Sequence, residues 1–139
     1  MRQHGSFKPG QVYVSNAGVL PCKKVIHAVG PWWLGGFHNE EQQLYHAVNE
    51  SMKAAEQYGL TSIAFPALST GMMKFPVDKC SKIIATAVTD FLDSQQQTCV
   101  KKVSLVHFHK LELEEFCKSL EILSGKYHWL GLGVLIGTK

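Results

Sequence analysis

The segment Ser62-Ile-Ala-Phe-Pro-Ala-Leu-Ser-Thr-Gly-Met-Met-Lys-Phe-Pro-Val-Asp78 decides the predicted fold. It begins with a short apolar run that ends at Pro66, which is typical of a strand buried on both faces of a parallel sheet. Three small residues follow at 69–71, and Pro76 predicts a helix start because proline suits the first helical position. A loop between such a strand and a helix presents free backbone N–H groups, which makes it a candidate phosphate site. An ordinary strand-to-helix turn is the alternative, since Ser-Thr-Gly alone is a weak motif.

Length and composition predict one globular domain with a substantial core. The chain has 139 residues, of which 45% are hydrophobic and 18% charged, with a net charge of +3. This mild basic excess gives no reason to expect a nucleic-acid partner. The four cysteines lack C-x-x-C spacing, and neither a secretory leader nor a membrane-spanning run is visible. We therefore expect reduced thiols and a location in the nucleus or the cytoplasm.

Hydrophobic periodicity predicts strands that alternate with helices. The predicted strands cover residues 11–15, 24–29, 62–66 and 103–108. The predicted helices cover 39–58, a segment that starts at Pro76, and a third segment with Leu113, Phe116, Cys117 and Leu120 on its inward face. In the first helix Asn39 is the expected N-cap and Gly59 the stop. Because strands and helices alternate after Asn39, the prediction is an α/β layered domain with parallel strands.

Four segments together resemble the macrodomain, a module that binds ADP-ribose. They are Gly10-Gln-Val-Tyr-Val-Ser15, Val25-Ile-His-Ala-Val-Gly-Pro31, Ser62-Ile-Ala-Phe-Pro-Ala-Leu-Ser-Thr-Gly71 and Val103-Ser-Leu-Val-His-Phe108. The stretch Leu20-Pro-Cys-Lys-Lys24 looks most like the macrodomains of vertebrate poly(ADP-ribose) polymerase family proteins. The resemblance implies a three-layer α/β/α fold with a mixed sheet. It divides the chain into an N-terminal remnant at 1–10, a partial macrodomain at 10–124 and an apolar tail at 125–139.

The resemblance also implies a role for each residue of the predicted site. The backbone N–H groups at 69–73 would wrap the diphosphate and the proximal ribose, and an aromatic side chain at the end of the fourth strand would stack on adenine. Two residues would line the floor of the cleft, and an aromatic residue at 75 would cover the distal ribose. The complete implied set is Pro66, Ala67, Ser69, Thr70, Gly71, Met72, Met73, Phe75 and Phe108.

Several parts of a macrodomain have no counterpart in this sequence. The sequence lacks the Gly-Asp-Ile-Thr and Asn-Ala-Ala-Asn segments, the glycine-rich first loop and a strand in the middle of the sheet. About half of the implied binding site is therefore absent. Without the middle strand, two pairs of strands would face each other across a gap with open edges. Three outcomes are open: the sheet rearranges to close the gap, the tail at 129–136 fills it, or the fold is only marginally stable. We expect a marginally stable fold, and a truncated gene model or splice product as its origin.

The resemblance leaves three possible functions open. The first is a reader of ADP-ribose or of mono-ADP-ribosylated proteins, the second a hydrolase of ADP-ribosylated proteins, and the third a non-binding fragment of a longer protein that carries transferase domains elsewhere. We favour the reader, and we assign no catalytic residue and no cofactor. A metal site at His27, His107 and His109 is disfavoured, because no acidic or thiol ligand stands nearby to complete the set.

Overall fold

In the computed structural model, residues 7–95 and 97–106 are described in full, together with the backbone of residues 128–129 and 134–136. Strands and helices alternate in the order β1 (Val12–Asn16), β2 (Lys24–Ala28), α1 (Glu40–Gln57), β3 (Ser62–Phe65), α2 (Val77–Ser94), β4 (Lys102–Leu105), β5 (His128–Trp129) and β6 (Val134–Ile136). The predicted α/β class with a mixed sheet is confirmed. The predicted third helix, Phe108 and His109 lie outside the described residues. No helix in the described part of the chain is both long and apolar enough to cross a membrane.

Strands β1 and β2 form an antiparallel hairpin. Val14 lies opposite Ile26, and Tyr13 lies opposite His27. The rings of Tyr13 and His27 stack with centroids 4.3 Å apart, and His27 Nε2 is 2.9 Å from the Ser15 hydroxyl. His27 is thus a half-buried strand histidine with a hydrogen-bond partner inside the hairpin.

Helix α1 buries the face that its periodicity predicted. Its fully buried stripe contains Leu44, Ala47, Val48, Met52 and Ala55. The helix ends with Gly59 at φ 67° and a bond from Leu60 N–H to Ala55 O of 2.9 Å, a left-handed C-terminal stop. At the other end the predicted N-cap position is confirmed, although the residue does not cap through its side chain. Asn39 occupies the N-cap position, but it has φ 62° and its side chain makes no capping bond.

Helix α2 packs against α1 and shares one core with it. Pro76 stands one position before the first helical residue, as N-cap instead of the predicted N1. The helix buries Cys80, Ile84, Ala87, Val88 and Phe91, which join Phe65 of β3 and Val103 and Leu105 of β4 in a single cluster. The two helices therefore hold β3 and β4 in place.

The sheet is divided into two parts within the described residues. Strands β1 and β2 form one part, and the other has the order β3-β4-β6-β5. Strands β3 and β4 are parallel, with Ile63 opposite Val103. Strand β6 of the apolar tail pairs antiparallel with the far edge of β4. The described tail strand thus extends the sheet and does not fill the gap between β2 and β3.

Candidate ligand-binding site

The loop at 66–75 links β3 to α2 and folds back on itself. Thr70 Oγ1 donates to Ala67 O at 2.7 Å, and Phe75 N–H donates to Ser69 O at 2.9 Å. Ser69 and Lys74 adopt positive φ values of 65° and 67°, a conformation that non-glycine residues rarely adopt. These bonds close the loop into a compact turn whose tip lies at Gly71 and Met72.

Several backbone N–H groups of this loop are free to bind an anion. In residues 7–95 and 97–106, no acceptor is found for the N–H groups of Ser69, Gly71, Met72 and Met73. Thr70 differs from the expectation, since its N–H already donates to Ala67 O at 3.3 Å. Adjacent free N–H groups before a helix start form a concavity with positive potential, which suits phosphate oxygens.

The loop lies against the end of β2 and the segment that follows it. A Cβ atom built on Gly30 would be only 2.0 Å from Ser69 Oγ, so a side chain at position 30 would force Ser69 to move. Trp33 N–H donates to Met73 O at 2.8 Å and ties the two segments together. The carboxyl ends of β2 and β3 therefore meet at the loop.

Phe75 has a different place from the one predicted for it. Its side chain is 1% exposed and meets the Trp33 ring edge-on, with ring centroids 5.0 Å apart. An aromatic side chain at the end of a loop gains most by burial under the helix that follows. Phe75 is thus a core residue that anchors the loop, and the predicted lid role is wrong.

The remaining predicted site residues differ in exposure. Pro66 is exposed and lines the cleft between β2 and β3, whereas Ala67 packs against the core. Met72 is 80% exposed at the loop tip, and Met73 is half-buried. Phe108, the predicted adenine-stacking residue, lies outside the described residues. The structure thus brings the predicted phosphate residues together on one loop and leaves the predicted adenine contact as a prediction.

Glu40 organises the neighbouring loop at 32–38, and sequence reasoning missed it. Its carboxylate is 1% exposed and accepts bonds of 2.8 Å from Leu34 N–H, 2.8 Å from Gly36 N–H and 2.6 Å from His38 N–H. Burial raises the pKa of Glu40, but the backbone N–H donors, Gly36 first, outweigh it and lower the pKa to about 2. The only signal in the sequence is an acidic residue in the first turn of α1, which by itself indicates no more than a favourable interaction with the helix dipole.

Other titratable groups lie away from the loop. Tyr45 donates to Asp90 Oδ2 at 2.6 Å between α1 and α2, and this hydrogen bond raises the pKa of Tyr45 to about 12. Burial raises the pKa of the Cys99 thiol, and so does its interaction with Glu56. No group of three potential metal ligands occurs in the portion of the chain that the structure describes.

A comparison with protein families matches the Macro domain over residues 1–84. The chain belongs to the Macro domain family. The match includes the hairpin, α1, β3 and the whole 66–75 loop. The fold and the family expected from the sequence are thus confirmed.

Curated relatives of this macrodomain include bacterial proteins. It is 40% identical over 121 residues to the macro domain-containing protein TTE0995 of Caldanaerobacter subterraneus subsp. tengcongensis, covering 87% of this chain and 67% of that protein. It is 45% identical over 91 residues to the O-acetyl-ADP-ribose deacetylase of Escherichia fergusonii, covering 66% of this chain and 51% of the enzyme. The chain thus spans between half and two thirds of the length of these two relatives. The narrower resemblance to vertebrate poly(ADP-ribose) polymerase proteins stays a prediction.

Solved structures give the same fold. A point mutant of the Oceanobacillus iheyensis macrodomain, solved with ADPR, superposes with a TM-score of 0.80 at 25% identity, covering 90% of this chain and 66% of that one. The Trypanosoma brucei macrodomain in complex with ADP-ribose superposes with a TM-score of 0.74 at 22% identity, covering 81% of this chain and 46% of that one.

Proposed function

We propose that this macrodomain binds ADP-ribose, with the diphosphate on the loop at 66–75. The observation that carries the proposal is the set of free N–H groups at Ser69, Gly71, Met72 and Met73. A diphosphate needs several donors that converge from one side, and a backbone loop supplies them without the entropy cost of long cationic side chains. The open space around Gly71 also supports diphosphate binding, because a Cβ atom built at this residue has no heavy atom within 4 Å.

The relatives support ADP-ribose as the ligand, and not only the binding of a phosphate group. The Oceanobacillus iheyensis macrodomain was solved with ADPR at a TM-score of 0.80 and 25% identity. Adenine stacking on Phe108 is part of the proposal, because a phenyl face stacks on any π-system. The further proposals, that the natural ligands are mono-ADP-ribosylated proteins and that the chain belongs to a poly(ADP-ribose) polymerase-like protein, rest on the Leu20-Pro-Cys-Lys-Lys24 resemblance.

The test is a calorimetric titration of residues 1–139 with ADP-ribose, with AMP as the matched ligand. A thermal melt first establishes that the protein unfolds cooperatively. AMP keeps the adenine and one phosphate but lacks the diphosphate and the distal ribose, so the proposal expects saturable binding that is clearly tighter for ADP-ribose. Equal heats for the two ligands, or no saturable binding by a cooperatively folded protein, would overturn it.

A second candidate function is hydrolysis of an ester on ADP-ribose. Several relatives are named O-acetyl-ADP-ribose deacetylase, with identities of 43–45% over 91 residues in three of them. The same loop would hold the substrate's diphosphate, and the reaction would add water across the ester to release acetate and ADP-ribose. Acetate release from O-acetyl-ADP-ribose distinguishes the two functions. A protein that binds ADP-ribose but releases no acetate above the uncatalysed rate is a reader.

A further inference from the structure

We propose that the cleft between β2 and β3 is a docking site for one extended, apolar β-strand of a partner polypeptide, which joins the two parts of the sheet. The cleft has a volume of ≈ 590 Å³. Residues of β2, β3 and β4 line it, together with Ser51 of α1. The cleft adjoins the proposed ADP-ribose loop, since Pro66 and Leu68 also line it, but the docking of a strand does not require ADP-ribose to bind there.

The separation of β2 and β3 is greater than that of paired strands. No Cα atom of β2 lies within 8 Å of one in β3, although α1 contacts both strands. Neighbouring strands lie about 4.8 Å apart, so two strands that flank a third are separated by about 9.6 Å. The helix thus holds the two strands apart, at a distance beyond direct pairing.

Strands β2 and β3 run in the same direction, so one inserted strand can pair with both. At the start of the two strands, Lys24 Nζ of β2 lies 5.3 Å from the ring centroid of Tyr58, a residue that precedes β3 in the sequence. At their ends, Gly30 meets Ser69. The two edges are therefore aligned along their length.

The backbone groups that face the cleft can be assigned from the pairing on the opposite edges. Val29 N–H donates to Gln11 O, so the groups of Val29, His27 and Val25 point towards β1. By the two-residue alternation of strands, the groups of Lys24, Ile26 and Ala28 point into the cleft.

The same argument applies to β3. Thr61 O and Phe65 O accept bonds from Lys102 N–H and Val106 N–H, so the groups of Ser62 and Ala64 point away from β4 and into the cleft. Each strand pairs on one side only within the described part of the sheet. Among the described residues these two edges are open and lie on either side of the cleft, and open strand edges form a template for strand addition.

The chemistry of the cleft defines the occupant. Val25, Ile26, Ile63 and Phe65 line it, so the strand must present apolar side chains. Lys24 and Lys102 stand at the end where β2 and β3 begin, so an acidic residue is favoured at that end of the strand. The match to an Oceanobacillus iheyensis macrodomain covers 90% of this chain and 65% of that one. About a third of that fold thus lies outside the matched part.

The test uses the full chain and a synthetic peptide of about seven residues, alternating valine and isoleucine after an aspartate, a length typical of strands. Binding is measured by calorimetry, and amide hydrogen exchange is measured with and without peptide. We expect exchange to slow by roughly tenfold or more at Lys24, Ile26, Ala28, Ser62 and Ala64. The amides of Val25, His27, Ile63 and Phe65 already face paired strands and should change much less.

Two controls separate strand pairing from simple apolar contact. The same peptide, N-methylated at alternate residues, keeps its side chains but loses the donors on one edge, and it should bind at least about tenfold more weakly. On the protein, Ala28→Pro removes a cleft-facing N–H without touching the bonds to β1, whereas Ala28→Ser keeps it. The proline variant should melt cooperatively and bind the peptide more weakly than the serine variant.

Three outcomes would overturn the proposal. They are no peptide binding, equal binding of the N-methylated peptide, and protection that does not alternate along β2 and β3. Concentration-dependent dimerisation in sedimentation experiments that protects the same amides without any peptide would assign the cleft to a second copy of this chain instead.

Discussion

The side chain of Ser69 occupies the space that any side chain on Gly30 would need. A Cβ atom at position 30 would lie 2.0 Å from Ser69 Oγ and 3.3 Å from Ser69 Cβ. The loop after β3 thus contacts the segment just after β2 at a residue without a side chain. Since Ser69 also carries one of the free N–H groups, this contact sets the position of the proposed phosphate site.

Gly30→Ala should lower both the affinity for ADP-ribose and the melting temperature. The added methyl group pushes Ser69 and its loop away, and overpacking of this kind costs typically about 1–3 kcal/mol. Ser69→Gly should rescue the defect, because it removes the clashing hydroxyl and relieves the φ of 65° at that position. Titrations and melts of the two single variants and the double variant check this. If Gly30→Ala binds and melts like the parent protein, the contact does not position the loop.

Met72→Pro should weaken ADP-ribose binding far more than Met72→Ala. The side chain is 80% exposed and φ is not positive, so proline mainly removes the N–H group. A hydrogen bond to a charged group is worth about 1.5–3 kcal/mol, which corresponds to roughly a 10- to 100-fold change in Kd. Alanine keeps the N–H and should change the Kd little. Calorimetry on both variants measures this, and equal losses would show that the Met72 side chain, not its backbone, contacts the ligand.

Phe75→Ala should destabilise the protein strongly, while Phe37→Ala should not. Phe75 is 1% exposed, and truncation of a buried phenylalanine costs about 3–5 kcal/mol. Phe37 is 89% exposed, and surface substitutions change stability by less than about 0.5 kcal/mol. Urea unfolding of the two variants makes the comparison. Similar small losses of stability in both variants would show that the Phe75 side chain does not anchor the loop in the core.

Local periodicity was sufficient to predict α1, α2 and the strands β1 to β4. The buried stripe of α1 from Leu44 to Ala55 follows from 3.6-residue spacing. Gly59 marks the end of the helix because glycine readily adopts the left-handed conformation found there. The loop after β3 was predictable for the same reason, since small residues between a strand and a proline leave few alternatives.

Features that depend on long-range contacts could not be predicted from local sequence patterns. The direction in which the Glu40 side chain turns depends on the path of the loop at 32–38, which no local pattern encodes. Likewise, the burial of Phe75 depends on Trp33, which is distant in the sequence. The pairing of β6 with β4 joins segments about thirty residues apart, and a non-local pairing of this kind has no signature in either segment alone.

The Glu40 carboxylate should stabilise the protein at neutral pH, and Glu40→Gln should lower the melting temperature there. The substitution keeps the shape of the side chain but places an NH₂ group against backbone N–H donors, at the Oε2 position facing Leu34 and Gly36 or at the Oε1 position facing His38. A buried donor that faces another donor loses its bond and is left unsatisfied. Glu41→Gln is the matched control. Glu41 is exposed, and its carboxylate lies 3.8 Å from Lys79 Nζ, a type of surface pair that contributes little.

The difference between Glu40→Gln and the parent protein should depend on pH in a defined direction. The pKa of Glu40 is lowered from 4.5 to about 2 in the folded state. A carboxyl group with a depressed pKa contributes its stability in full above the unfolded-state value, and the contribution is lost as the pH falls through the folded-state value. The gap in melting temperature should therefore be constant at neutral pH and shrink as the pH falls from about 4.5 towards 2. Melts of the parent protein and both glutamine variants, from neutral pH to about pH 3, measure this gap. A gap that widens on acidification would show that the loop at 32–38 does not depend on the ionised Glu40.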